Sequence, residues 1–267
     1  MIDLSVIIIN YNGKHYLKDC IESLIYHLKG LTYEIIIWDN HSSDGSQQFI
    51  EDNYPQIILS KSRKNLGFGL ANNKAVERAK GEHLLLINND TVVLSDVKPI
   101  LDVYKYSNNV GFLGIKMLDG NKKYLSSVGV FPTLKNMFRL KYLNDKRQDF
   151  KTGDFVQESY IVDWLTGAFM MVSTSLYKSL DGFDPNYFMY VEDVDICKRA
   201  HDRGLTNFFY PKAQFKHFVG FKSERNLLLI KGYQTYINKH YNGLYKLLLL
   251  LVLSFNAFIK QLKVKIK

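Results

Sequence analysis

The first ninety residues alternate apolar runs with segments of helical periodicity. Runs rich in β-branched or aliphatic residues stand at 4–9 (Leu4-Ser5-Val6-Ile7-Ile8-Ile9), 34–39 (Glu34-Ile35-Ile36-Ile37-Trp38-Asp39), 57–59 and 84–87 (Leu84-Leu85-Leu86-Ile87). Their hydrophobicity is continuous, which predicts strands covered on both faces. Between the first two, residues 16–28 carry Leu17, Cys20, Ile21, Leu24 and Leu28 on one stripe and predict a helix. A second helix is expected from the N-cap candidates in Ser42-Ser43-Asp44-Gly45-Ser46 to about residue 53, and a third over 67–80, ended by Gly81. This β-α-β-α-β-α-β succession implies an α/β fold: a mostly parallel, Rossmann-like sheet with helices on both faces. Ligands of such sheets gather outside the carboxyl ends of the strands. Asn10, Asp39, Arg63 to Asn65, and Asn88 to Asp90 all fall there.

The second half is less regular. A strand is expected at 112–117, irregular or hairpin structure over 122–159, and a loop entering a strand over 162–172. A short helix over 174–180, the turn Asp181-Gly182-Phe183-Asp184-Pro185, and a helix from 192 to about 203, closed by Gly204, follow. From about 244 the pattern changes. Leu247 to Leu253 is unbroken apolar sequence, continuing brokenly to Ile259 between Lys246 and Lys260. Crossing a bilayer takes ~20 apolar residues, more than this run offers. It predicts a helix lying on a membrane surface with lysines at the headgroups. The competing expectation is a helix packed on the domain or in a homodimer seam.

At 267 residues the chain is long enough for one large domain with an appendage: a body over 1–225 and a basic, apolar helical tail over 226–267. No basic leader precedes the first strand, so no signal peptide is expected. Cys20 and Cys197 are far apart, which disfavours a disulfide framework or zinc site and fits a reducing compartment. The net charge of +9 is unevenly placed: after Glu224 there is no acidic residue, and eight cations there account for all but one of the net charges. A near-neutral body lacks the spread of cations that a nucleic-acid groove needs.

Eight short segments then occur in order: Ser5-Val6-Ile7-Ile8-Ile9-Asn10-Tyr11-Asn12, Asp39-Asn40, Asp44-Gly45-Ser46, Asn65-Leu66-Gly67-Phe68-Gly69, Ala71-Asn72-Asn73, Asn88-Asn89-Asp90-Thr91, Gly182-Phe183-Asp184, and Tyr190-Val191-Glu192-Asp193-Val194-Asp195. Over roughly 4–221 the chain thus resembles family-2 glycosyltransferases of the GT-A fold, in the rhamnosyltransferase-like subgroup. The resemblance implies inverting transfer of a sugar from a nucleoside diphosphate to an acceptor hydroxyl. It also implies a nucleotide-binding half over 1–110 and an acceptor-binding and catalytic half over 111–225.

On that footing Asp39 is the expected partner of a pyrimidine ring N–H, with Asn10 and Tyr11 beside the same base and Asn65, Gly67 and Asn72 on the nucleotide side. Asp90 is the candidate ligand of Mn²⁺ or Mg²⁺, with His217 completing the site. Asn88 stands where related enzymes carry the first acid of an Asp-x-Asp element, which removes one negative charge; Asn89 adjoins it. Asp193 is the candidate base, and Glu192 shares its helical turn, where the helix dipole is expected to lower their basicity. Asp195 is expected to bond structure or a basic neighbour. Trp164, Thr166 and Gly167 resemble an acceptor-side segment, and Lys222 and Arg225 are candidates to hold the leaving diphosphate. The implied acceptor is a saccharide or lipid-linked saccharide of a surface polysaccharide, at the cytoplasmic face of the membrane. Two rival readings remain: nucleotidyl transfer, for which Asn10-Tyr11-Asn12-Gly13-Lys14 is a poor phosphate loop, and a catalytically inactive membrane-bound nucleotide-sugar-binding protein.

Overall fold

The computed structural model describes residues 2–218 and 225–265. Strands β1 (Leu4–Asn10), β2 (Tyr33–Asp39), β3 (Ile58–Lys61) and β4 (His83–Asn88) alternate with helices α1 (Lys14–His27), α2 (Ser46–Asn53) and α3 (Phe68–Val76), in the expected succession. Next come β5 (Thr91–Val93), α4 (Val97–Tyr106), β6 (Val110–Leu118), β7 (Tyr124–Leu125), β8 (Val128–Gly129), α5 (Leu134–Met137), a 3₁₀ turn (Leu140–Leu143) and α6 (Gln148–Thr152). The chain continues through β9 (Tyr160–Val162), β10 (Trp164–Leu165), β11 (Phe169–Ser173), α7 (Thr174–Ser179), α8 (Glu192–His201), β12 (Thr206–His217), α9 (Arg225–His240) and α10 (Gly243–Lys265).

One ten-stranded sheet, ordered β3-β2-β1-β4-β11-β6-β12-β5, carries β7 and β9 as side pairings. Its long ladders, β1 with β2 and β4, β2 with β3, and β6 with β12, are parallel. The antiparallel pairings come from β11, between β4 and β6, and from short strands. Strand residues alternate between two cores, as strands covered on both faces must. Val6, Ile8, Leu85 and Ile87 face α1 and α4; Ile7, Leu84 and Leu86 face α3, α7 and α8. A third cluster joins Val191 and Val194 to Tyr233, Tyr236 and Ile237 of α9 and Leu249 and Leu253 of α10.

Three departures from the sequence pattern have local causes. Helix α3 ends at Val76, four residues early, because Arg78 and Ala79 donate to Ala75 and Val76 in tight turns that lead into β4. Helix α4, which was not expected from the sequence, holds Pro99 in its first turn, where the missing N–H costs little. Strand β12 contains Pro211, and its register slips between Tyr210 and Gln214, which breaks the alternation that would announce it.

Candidate active site

The carboxyl ends of β1, β2 and β4 meet in one hydrogen-bonded patch. Asn10, fully buried, donates through Nδ2 to Asp39 Oδ2 at 2.9 Å and accepts through Oδ1 from Asn89 Nδ2 at 2.7 Å. Asp39 Oδ1 takes the Ser42 N–H at 2.9 Å and the Gln47 amide at 2.6 Å. The carboxylate is therefore aimed by three donors, with Tyr11, 41% exposed, on the rim. Ser42 and Gln47 were not singled out from the sequence, where they read only as the entry to α2.

Two glycine-side candidates are occupied by the fold. Asn65 Oδ1 accepts from Asn40 Nδ2 and the Gly67 N–H, and Asn40 Oδ1 takes the Leu66 N–H, so these side chains knit their own loop. Gly67 has φ +78°, and a Cβ there would lie 2.1 Å from the Phe188 carbonyl oxygen. The close backbone approach that this glycine permits is made by the 183–191 segment, with Phe68 N–H donating to that same carbonyl at 2.8 Å. Asn72 is buried in α3 and donates to the Phe68 carbonyl one turn back.

Pairing of β5 with β12 sets His217 opposite Thr91 and brings His217 Nε2 within 3.1 Å of Asp90 Oδ1 and 3.3 Å of Asn88 Nδ2. The side chains of His217 and Asp90 are each 15% exposed, and His217 Nδ1 is buried without a partner, so the ring's polar contacts are all on its Nε2 side. An imidazole nitrogen and a carboxylate oxygen at this separation fit a divalent cation such as Mn²⁺ or Mg²⁺. Among the described residues no third His, Cys, Asp or Glu joins them. A bound ion would therefore draw its remaining ligands from phosphate and water.

Glu192, Asp193 and Asp195 open α8 and take three separate roles. Asp193 is half-buried; its Oδ2 accepts the Gly167 N–H at 3.0 Å and its Oδ1 the Val194 N–H at 2.8 Å. Burial raises its pKa against the pull of those backbone donors. Glu192 is buried with Oε2 unpartnered, and its pKa is raised well above the ordinary range by burial and by the Asp193 charge. The expected lowering by the helix dipole is thus overturned: desolvation exceeds the field of a ten-residue helix. Asp195, fully buried, receives Arg199 Nε at 2.8 Å, Lys239 at 3.0 Å and His240 Nε2 at 2.7 Å. Lys239 also reaches Asp184 at 2.6 Å. Basic neighbours were anticipated for Asp195, but Lys239 and His240 were not.

The turn into α8 is strained. Tyr190 and Val191 have φ +71° and +74°, the latter a rare state for a β-branched residue. Gly232 of α9 makes room for them: a Cβ there would lie 2.7 Å from both the Tyr190 carbonyl oxygen and Val191 Cγ2. On the other side, Trp164 donates its indole N–H to the Val130 carbonyl at 3.1 Å, and the Thr166 N–H bonds the Ser127 carbonyl. Gly167 is the member of this trio whose N–H bonds Asp193. Lys222 and the Arg225 side chain lie outside the described residues; the Arg225 backbone begins α9.

The sequence model of glycosyl transferase family 2 matches residues 5–159, more than half of the chain. The chain belongs to that family. The chain is 28% identical over 225 residues to rhamnosyltransferase WbbL of Escherichia coli K12, covering 80% of this chain and 83% of the relative. It is 23% identical over 252 residues to the N-acetylglucosaminyl-diphospho-decaprenol L-rhamnosyltransferase of Mycobacterium tuberculosis H37Rv, covering 84% and 78%. Among solved structures, GalNAc-T7 with UDP, GalNAc and Mn²⁺ superposes with a TM-score of 0.70 at 15% identity, covering 89% of this chain and 48% of that one. S. aureus TarS 1–349 with UDP-GlcNAc gives 0.59 at 16%, covering 93% and 70%. These likenesses establish the GT-A fold. This family-2 glycosyltransferase places Asp193, Asp195 and His217 beyond the matched segment, in its own second half.

Proposed function

We propose that this glycosyltransferase moves a sugar, with rhamnose the leading candidate, from a nucleoside diphosphate to a hydroxyl of a saccharide or lipid-linked saccharide, with inversion. The rhamnosyl transfer named for two relatives and the diphospho-decaprenol acceptor named for one support that choice. Its setting would be surface polysaccharide assembly at the cytoplasmic face of the membrane. Asp39, with Asn10 and Tyr11, receives the base; Asn88, Asp90 and His217 face the diphosphate. A divalent ion held by Asp90 and His217 would neutralise charge on the departing diphosphate. Trp164, Thr166 and Gly167 line the acceptor side.

The observation that carries the reading is the Asp193 carboxylate, fixed by two backbone N–H groups and raised in pKa by burial. Its burial strengthens the base, and its anchoring orients it. Asp193 takes the acceptor proton while the acceptor oxygen bonds the anomeric carbon and the nucleoside diphosphate leaves with the bonding electrons. Burial and the Asp193 charge raise the Glu192 pKa, which disfavours a second full negative charge beside Asp193.

Asp193→Asn should lower transfer by a factor on the order of 10²–10⁴ while nucleotide-sugar affinity, read by calorimetry, stays within a few fold. Full transfer activity in that variant would sink the base assignment. Release of pyrophosphate in place of nucleoside diphosphate would favour nucleotidyl transfer; absence of nucleotide-sugar binding would favour the inactive reading.

A further inference from the structure

Helix α10 has two apolar faces, and the fold uses one. Leu249 and Leu253 are buried against α9, Asn256 Nδ2 donates to the Met137 carbonyl at 2.7 Å, and Tyr245 Oη accepts the Leu134 N–H at 3.2 Å. These contacts bolt the helix to α5 and α9. Opposite them stand Leu244, Leu247, Leu248, Leu251, Phe255 and Phe258, from 39% to 72% exposed. At 3.6 residues per turn the six fall within about 100° of arc along about 21 Å of helix. Among the described residues no helix is long and apolar enough to cross a membrane, so this face has no spanning role.

We infer that the outward face of α10 is a preformed docking face for an anionic lipid bilayer, on which the helix lies flat. Charge selects this occupant. From residue 225 onward the chain carries eight cations and no acidic side chain, and one of the eight, Lys239, is held internally by Asp184 and Asp195. A second copy seated on the same face would bring two such cationic segments together about a two-fold axis, which repels. An anionic leaflet attracts each cation by about 1 kcal/mol. Because α10 is already folded on the body, docking need not order the chain, the cost that a disordered anchor carries. The inference also deepens the proposed function. Helix α10 packs on α9, which packs on the start of α8, and helix axes lie about 8–10 Å apart. Two such spacings, about 20 Å, separate α10 from α8, the helix with Asp193 in its first turn.

The test is co-sedimentation of the full chain with vesicles of phosphatidylcholine, alone or mixed with phosphatidylglycerol, alongside donor hydrolysis without vesicles. The wild-type chain should bind the mixed vesicles at least about tenfold more strongly, with affinity falling as salt rises. The triple variant Leu247→Ser, Leu251→Ser, Phe255→Ser should lose at least about tenfold in binding while circular dichroism and hydrolysis are kept. Equal binding to both vesicle types, or unchanged binding by the triple variant, overturns docking. Wild-type dimers that the triple variant converts to monomers overturn it in favour of a second copy. Loss of hydrolysis with docking intact would fail the proposed function alone.

Discussion

Asp195→Asn probes how α8 is held. Burial alone would raise the Asp195 carboxyl, but His240, Arg199 and Lys239 hold it at about 2, below its ordinary 3.8. A folded-state value below the unfolded one gives stability that is present above the unfolded pKa and lost as pH falls through the folded one. At 1.36 kcal/mol per pH unit, the gap is worth about 2 kcal/mol near neutrality and roughly half of that at pH 3. For a domain of this size the amide should lower Tm at pH 7 by roughly 5 °C. The assay is urea unfolding of both proteins at pH 7 and pH 3, compared at equal ionic strength. The difference between them should shrink on acidification. A difference independent of pH, or a variant as stable as the parent at pH 7, would refute the claim that these three partners make the buried carboxylate a net stabiliser.

Gly67→Ala should cost about 1–3 kcal/mol, because φ +78° and the Phe188 carbonyl both oppose a Cβ; thermal unfolding checks it, and an unchanged Tm contradicts the close approach. Glu192→Gln removes a carboxyl whose folded pKa is raised, a group that stabilises at low pH and destabilises as pH rises past its unfolded value. That variant should therefore gain stability relative to wild type as pH rises above about 4.5, and a relative loss in urea titrations would count against it. His217→Ala should raise the Mn²⁺ concentration needed for half-maximal activity by about tenfold or more, and metal titration after chelation reads this directly.

The parallel half of the sheet was legible because strands covered on both faces spell unbroken apolar runs, as Val6 to Ile8 and Leu84 to Ile87 do. Strand β12 was not: Pro211 and a register slip interrupt its pattern, and with it went the ladder that sets His217 beside Asp90. Asp90 and Asp193 were singled out through ordered motifs, whereas the basic partners Lys239 and His240 lie more than forty residues from Asp195 and carry no local signal. The direction of the Asp193 shift was missed for a different reason. Helical position can be read from a sequence, but the burial that outweighed it depends on segments distant in sequence, such as that of Gly167, which only the assembled fold brings together.

The Asp195 cluster also decides where this chain can be cut and rejoined with a relative. Its members run from Asp184 to His240, and Gly232 accommodates the strained turn of Tyr190 and Val191. A chimera joined at residue 159, where the family match ends, would keep that cluster and its helix together as one inherited unit. One joined at 225 would pair a native α8 with a foreign α9, leaving the buried Asp195 with Arg199 but without Lys239 and His240. Exchange of acceptor preference between relatives should therefore succeed at the first junction and fail at the second.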